Sequence, residues 1–265
     1  VESFAIMGNI VIMYLENSVE YAIWRNGGYV YLGELPEVPR LGITTSAVEE
    51  SVLTEGKYDM YYNSETSELY NGYVQKGFID HALSLVYKQN CYIDRAFFIV
   101  ALKLFDGTYI ATSSPYQISS GETTGFVNSV RWSPFTGSAS DRYKATASGL
   151  VPTFKIPDES IEALEKWEDV IVSIDIFTSG SIMNKGVKKA TYESKVTDGT
   201  TVKVGQEYEM YDWLKASEIK ENIENATFRK VAEFDLSGNI IWSVEDTSPS
   251  NLATQDALLF NTMHS

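Results

Sequence analysis

The chain has 265 residues, of which 44% are hydrophobic and 22% charged, a balance typical of folded globular proteins rather than disordered ones. Its 36 acidic and 21 basic residues give a formal net charge of −15, which argues against nucleic-acid binding as the main task. A protein surface that nucleic acid must pass without binding is also expected to be acidic. The longest apolar runs, such as Ala96–Leu102, are too short to cross a membrane.

The first 34 residues are predicted to form a meander of short strands. Glu16–Ser18 and Asn26–Gly28 contain the residue types that favour turns between them. The strands are Asn9–Leu15, Val19–Arg25 and Tyr29–Leu32. Such a meander resembles one blade of a β-propeller, which closes only with about four to eight blades. Either it packs on the neighbouring part of the chain, or upstream blades lie outside this sequence. We favour the second alternative, which makes the chain a fragment of a longer protein.

A second module is predicted from residue 35 to residue 120. It begins with the linker Leu35–Pro39, whose two prolines favour an extended backbone. Leu41–Thr45 is a candidate first strand. Tyr73–Asn90 carries apolar residues at helical spacing and is the best helix candidate in the chain.

The most informative segment of this module is a β-hairpin over residues 94–118. Ala96–Leu102 contains no polar residue, so we expect a strand buried on both faces at the centre of a sheet or sandwich. The dipeptide Asp106-Gly107 predicts a type I′ turn after it, since both central residues of that turn take positive φ.

A third module, residues 121–265, mixes strands and helices without the regular alternation of a nucleotide-binding fold. Its helices are predicted at Asp158–Glu168 and Trp213–Ala226. Its strands are predicted at Val151–Ile156, Val170–Phe177, Thr227–Leu236 and Ile240–Val244. A hairpin turn is predicted at Asp198-Gly199. The fold class is therefore mainly β (α+β), with β-sandwich-like modules, a few inserted helices and the blade-like meander.

A group of tyrosines in the second module is the one candidate contact surface. Its members are Tyr58, Tyr61, Tyr62, Tyr70 and Tyr73. Tyrosine-rich stretches form sugar platforms or protein contacts, although tyrosines at the rim of a core are the commoner case.

Residue types that carry chemistry are scarce. Cys91 is the single cysteine, and His81 and His264 are the only histidines, without partners at metal-binding spacing. Acidic pairs fall mostly at turns and helix starts, and Asp175 alternates with isoleucines, so we expect it to point to solvent. The glycines form neither a dinucleotide fingerprint nor a phosphate loop. We therefore predict no enzymatic activity, no cofactor and no metal.

Several segments resemble a family of phage proteins. Residues Gly8–Pro39 are similar to a segment of large structural proteins of crAss-like podoviruses that infect Bacteroides, the stabilisation, tail nozzle or muzzle proteins. The run FFIVALKLFDGTYIATSSP resembles a strand-turn-strand of that family. The runs VIVSIDIFTS, FRKVAEFDL and NLATQDALLFNTMHS follow its pattern as well.

This resemblance implies a structural virion protein, made in the bacterial cytoplasm and located in the phage tail. It implies a channel component for ejection of the genome and proteins, which DNA passes without tight binding, together with other tail proteins. A homo-oligomeric ring, with about six copies by resemblance alone, is expected because a blade-like sheet leaves unpaired edges. No catalytic or ligand residues carry over. The alternative is a glycan- or protein-binding β-sandwich module of a Bacteroides surface protein, with the tyrosine group as its platform.

Overall fold

A computed structural model of the chain describes residues 1–53, 60–62, 73–74, 76–87, 91–119, 130–134, 143–182, 186–191, 194–197, 200–203, 207–212, 214–244 and 257–259. Strand residues far outnumber helical ones in the described part of the chain, so the prediction of a mainly β protein is confirmed. All strand pairs are antiparallel, and none of the sheets formed by the described residues closes into a barrel or propeller.

The strands of the first half of the chain are β1 (Ser3–Met7), β2 (Ile10–Tyr14), β3 (Val19–Arg25), β4 (Gly28–Gly33), β5 (Gly42–Leu53), β6 (Met60–Tyr62), β7 (Tyr73–Val74), β8 (Arg95–Leu104), β9 (Tyr109–Thr112), β10 (Tyr116–Ser119) and β11 (Val130–Pro134). Those of the second half are β12 (Tyr143–Lys155), β13 (Ile171–Ile182), β14 (Gly186–Thr191), β15 (Ser194–Thr197), β16 (Thr200–Lys203), β17 (Glu207–Asp212), β18 (Thr227–Phe234), β19 (Ile240–Ser243) and β20 (Ala257–Leu259).

The first four strands form an antiparallel meander in the order β1-β2-β3-β4. The three predicted strands are confirmed, and a fourth, β1, precedes them. Asn26 and Gly27 have φ of 51° and 84°, which is the conformation that a two-residue hairpin turn of the I′ type requires. We call this element the N-terminal sheet.

The largest sheet has seven strands, with the path β10-β8-β13-β18-β19 and with β9 and β20 paired to β8 and β18. Residues Ala96–Leu102 of β8 are buried on both faces, as predicted, because strands flank β8 and side chains cover each face. On one face lie the N-terminal sheet and Ile161, Leu164 and Trp167. The opposite face packs against Ile223 and Ala226, at the end of a helix.

Three helical segments were predicted, and the structure revises each of them. Helix α1 spans Lys76–Tyr87 and α2 spans Ala216–Glu224, both shorter than the predicted Tyr73–Asn90 and Trp213–Ala226. Tyr73 is instead in strand β7. The predicted helix at Asp158–Glu168 is present as two 3₁₀ helices, Asp158–Ser160 and Glu162–Trp167.

The turn at Asp106-Gly107 is also not the predicted type. Gly107 has a φ of 87°, but Asp106 does not have a positive φ. The amide of Gly107 donates to the carbonyl of Leu104, and the Asp106 side chain accepts from the Thr108 amide at 2.9 Å. The connection is thus a three-residue loop in which only the last residue, Gly107, has a positive φ. The Asp106 carboxylate stabilises this loop by accepting the hydrogen bond from the Thr108 amide.

The remaining sheets are smaller. β5 pairs along its length with β12, which also pairs with β11, so the predicted strands at 41–45 and 151–156 are parts of much longer ones. β14 pairs with β17, and β16-β15-β6-β7 form a four-stranded sheet. Thr197 lies opposite Thr200, as expected for a hairpin there, while the predicted turn residues 198–199 lie outside the described part of the chain.

Close packing of α1 against β12 depends on a glycine. A Cβ atom at Gly149 would overlap Cys91 Sγ and lie 2.9 Å from Val86 Cγ1. We expect Gly149→Ala to lower the free energy of unfolding by about 1–3 kcal/mol, measured by urea denaturation, because the core there has no room. The control is Gly28→Ala, where a Cβ meets nothing within 4 Å. Equal losses for the two variants would contradict the close approach.

Candidate contact surface

The predicted tyrosine group is only partly within the described residues. Tyr58 and Tyr70 lie outside them. Tyr61 and Tyr62 are in β6 and Tyr73 is in β7, and Tyr61 and Tyr73 are register partners. The fold therefore brings two of the five predicted contact residues opposite each other across a strand pair.

A larger apolar surface lies on the N-terminal sheet. Side chains of one strand alternate between faces, and the pairing register places a set from all four strands on the face that points away from the seven-stranded sheet. We call this the aromatic face. Its members are Phe4, Ile6, Val11, Met13, Ala22, Trp24, Tyr29 and Tyr31.

The aromatic face is open to solvent. The exposed fractions are 65% for Phe4, 63% for Ile6 and Tyr29, 60% for Tyr31 and 49% for Trp24. At roughly 200 Å² for each large side chain, the four aromatic residues and Ile6 together expose on the order of 600 Å². That equals or exceeds the largest apolar patch on a typical monomer, which is about 300–600 Å². On monomeric proteins a patch of this size is often functional.

The reverse side of the same sheet is part of the main core. Ile10, Ile23 and Leu32 are buried in one cluster with the side chains of the seven-stranded sheet. Tyr21 packs edge-to-face on Trp167 with ring centroids 5.5 Å apart. Because the middle of this face is already covered, the aromatic face is the larger uncovered apolar surface of the sheet within the described residues.

Local contacts order one end of the aromatic face. Trp24 and Tyr29 are cross-strand neighbours at the Asn26-Gly27 turn, and their rings meet edge-to-face with centroids 4.8 Å apart. Rings held in this way lose little freedom when a partner covers them, which favours binding.

The opposite end of the face is acidic. The hydrogen bond to the Glu20 side chain raises the pKa of Tyr31, and the charges of Glu20 and Glu34 act in the same direction. Arg25 is the one basic residue among the first 35, and it forms an ion pair with Asp169 on the covered side. The aromatic face therefore carries acidic groups at one end and no basic group.

A second notable cluster is buried between β13 and β18. Asp175 was expected to point to solvent, and this is wrong, because its side chain is fully buried. Strand β13 is covered on both faces, so alternation carries Asp175 into a second apolar layer rather than to water. Lys230 Nζ lies 2.9 Å from its carboxylate, and the hydroxyls of Tyr109 and Ser173 donate to it at 2.8 and 2.9 Å.

Lys230 also contacts Glu233 at 2.6 Å. Burial alone lowers the pKa of Lys230, but its hydrogen bonds and charge attraction to Glu233 and Asp175 outweigh this, so that the pKa is raised. For Glu233, burial acts upward, and the hydrogen bond and charge of Lys230 outweigh it, so that the pKa is lowered. Lys230 thus lies between two carboxylates and links strand β13 to strand β18.

Cys91 and His81 are the two residues weighed for nucleophilic catalysis that lie within the described part of the chain. Cys91 is buried, and burial raises the pKa of its thiol to about 11, which makes it a poor nucleophile. His81 lies on α1, and His264 is outside the described residues. A groove of about 370 Å³ is lined by acids of the 3₁₀ helices, among them Asp158 and Glu165. In the described part of the chain, no three side chains are grouped as a metal site would require.

No helix among the residues that the structure describes has the length and apolar character needed to span a membrane. Comparison of the chain with models of known protein families, with curated proteins and with solved structures finds no match.

Proposed function

We propose that the protein is a structural component of a phage tail, of the nozzle or muzzle type found in crAss-like podoviruses. It acts by assembly, not by catalysis, and forms a homo-oligomer, for which the family resemblance implies a ring of about six copies. The observation that carries the proposal is the aromatic face of the N-terminal sheet, an apolar surface at the upper end of what a monomeric protein exposes.

The form of the N-terminal sheet supports this role. It has four strands, as a propeller blade has, and its outer strands β1 and β4 pair with no further strand of the described residues. Open sheet edges and an uncovered apolar face are what a subunit presents before assembly. We propose that the blade-like sheet and the sandwich-like body are successive modules of one virion subunit.

The charge of the chain supports a channel function. A net charge of −15 keeps DNA from adhering to the surfaces that it passes during ejection. The protein is then made in the bacterial cytoplasm and located in the virion, where it contacts further copies and other tail proteins.

The proposal is tested on purified phage particles and on the isolated protein. We expect mass spectrometry to find the chain in tails at several copies per particle. We expect no retention of DNA by the protein at physiological ionic strength, since acidic surfaces gain nothing from counterion release. Absence of the chain from particles, or salt-sensitive DNA binding, would refute the assignment.

A second candidate function is a glycan-binding module of a bacterial surface protein. The pairing of Tyr61 with Tyr73 in adjacent strands favours it, because neighbouring tyrosines can form a sugar platform. Binding on a glycan array that is lost in both Tyr61→Ala and Tyr73→Ala, together with absence from virions, would establish this function in place of the first.

A further inference from the structure

We infer that the aromatic face is covered by the same face of a second copy of this chain, with the two N-terminal sheets stacked and their strands running in opposite directions. The inference rests on the proposed homo-oligomer and adds to it the surface and the geometry of one contact.

The size of the face matches the need of such a pair. A stable protein interface buries about 800 Å² on each partner. The five most exposed members of the aromatic face supply most of this area, and the half-buried Val11 and Met13 lie between them. Two antiparallel sheets pack face to face at about 10 Å through apolar side chains of this kind.

The distribution of charge selects the orientation. Glu20 and Trp24 lie on the same side of β3, four residues apart, which is about 13 Å along the strand. A two-fold axis that crosses the strands near Ala22 places the acidic end of one sheet over the aromatic end of the other. The two acidic ends are then separated by more than the Debye length of about 10 Å. Stacking with the strands in the same direction would instead oppose acid to acid.

Other partners fit the face less well. Nucleic acid is repelled by Glu20 and Glu34, and a protein with a basic rim would find charges to pair with at one end only. A second copy fits the apolar centre over its whole area. Because a face that packs on itself closes at two copies, a ring of six would consist of three such pairs joined through a second, different contact, with neighbouring subunits pointing in opposite directions along the ring axis.

Sedimentation velocity of the full chain, over about 1–100 µM, tests the pair, since interfaces of this size bind in the micromolar range or more tightly. We expect a dimer or a larger even-numbered assembly. Ile6→Lys and Tyr29→Glu should each weaken dimerisation by at least about tenfold, because the first buries a charge at the centre of the contact and the second places a carboxylate opposite the acidic end of the partner sheet. Both residues are largely exposed, so the folded subunit should melt as the unchanged protein does.

The matched control is Ile241→Lys. Ile241 is an isoleucine of similar exposure, 58%, on the edge strand β19. It should leave the dimer intact. A monomeric wild-type chain at all concentrations would overturn the inference. So would an assembly that persists in both face variants or is lost only in Ile241→Lys. In these last two cases the proposed homo-oligomer stands and only the surface is wrong.

Cross-linking tests the orientation. A mixture of Glu20→Cys and Trp24→Cys proteins should be joined by a bismaleimide that spans about 10 Å, the spacing of two stacked sheets, whereas each variant alone should not be joined. Native Cys91 is buried and should not contribute. Cross-linking within either variant alone would show strands running in the same direction and would overturn the proposed stack.

Discussion

Replacing Lys230 by methionine should lower the free energy of unfolding by about 3–5 kcal/mol, because removing one partner of a buried pair leaves an uncompensated charge. Lys230 Nζ is the cation closest to the fully buried Asp175, at 2.9 Å, whereas Lys103 Nζ is 4.0 Å away. Methionine preserves the length of the side chain, so the loss reports the charge rather than a cavity. Urea denaturation at neutral pH measures it.

The control for this variant is Lys220→Met. Lys220 pairs with Glu224 on α2, but its side chain is 74% exposed, so the pair is worth at most about 0.5 kcal/mol. A loss below about 1 kcal/mol in Lys230→Met would contradict a buried charge at Asp175.

The pH dependence of the same difference follows from the pKa directions. The pKa of Lys230 is raised by folding, so its contribution is complete below its ordinary value of about 10.4 and is lost as pH rises through the folded value. The pKa of Glu233 is lowered, so its contribution is complete above about 4.3 and is lost as pH falls. The stability difference between wild type and Lys230→Met should therefore be largest between about pH 5 and pH 10.

Many of the strands could be predicted because the spacing of apolar residues and the residue types at the turns indicate the same structure there. The run Ala96–Leu102 has no polar residue and is buried on both faces, and Asn26-Gly27 forms the hairpin turn that its composition favours. In these segments local preference and tertiary burial point to the same conformation.

The errors fall where tertiary context decides. The sequence around Asp175 alternates as in a half-exposed strand. The side chains that cover this face of β13 come from residues distant in sequence, and Lys230, which pairs with Asp175, is 55 positions away. At residues 158–168, short apolar spacing fits an α-helix or two 3₁₀ turns equally well, and the packing of Leu164 and Trp167 on the core selects the latter.

The aromatic face was missed as a contact surface although its signal is in the sequence. Ile10–Tyr14 is apolar at every position, which indicates a strand with two covered faces. One face is covered by the seven-stranded sheet, and only the structure shows that the other has no cover in the described residues.

Replacing Trp167 by alanine should cost about 3–5 kcal/mol of unfolding free energy, the range for removing a buried large aromatic side chain. Trp167 is 2% exposed, contributes to the main core and meets Tyr21 of the N-terminal sheet edge-to-face. It thus joins the sheet to the body of the protein. Phe105→Ala, which removes a 54%-exposed aromatic side chain at a hairpin turn, should cost less than about 1 kcal/mol.

The location of the loss separates the two ways in which the N-terminal sheet can be attached. If the sheet is held on the body mainly through the contact of Tyr21 with Trp167, the Trp167→Ala variant loses that contact and its sheet should detach more often. The linker Leu35–Pro39 should then become sensitive to limited proteolysis, with early release of about the first 35 residues. Phe105→Ala should leave that cleavage unchanged. An unchanged cleavage rate in Trp167→Ala, despite a large loss of global stability, would mean that the sheet is held by its aliphatic contacts, with Ile10, Ile23 and Leu32 sufficient to keep it on the core.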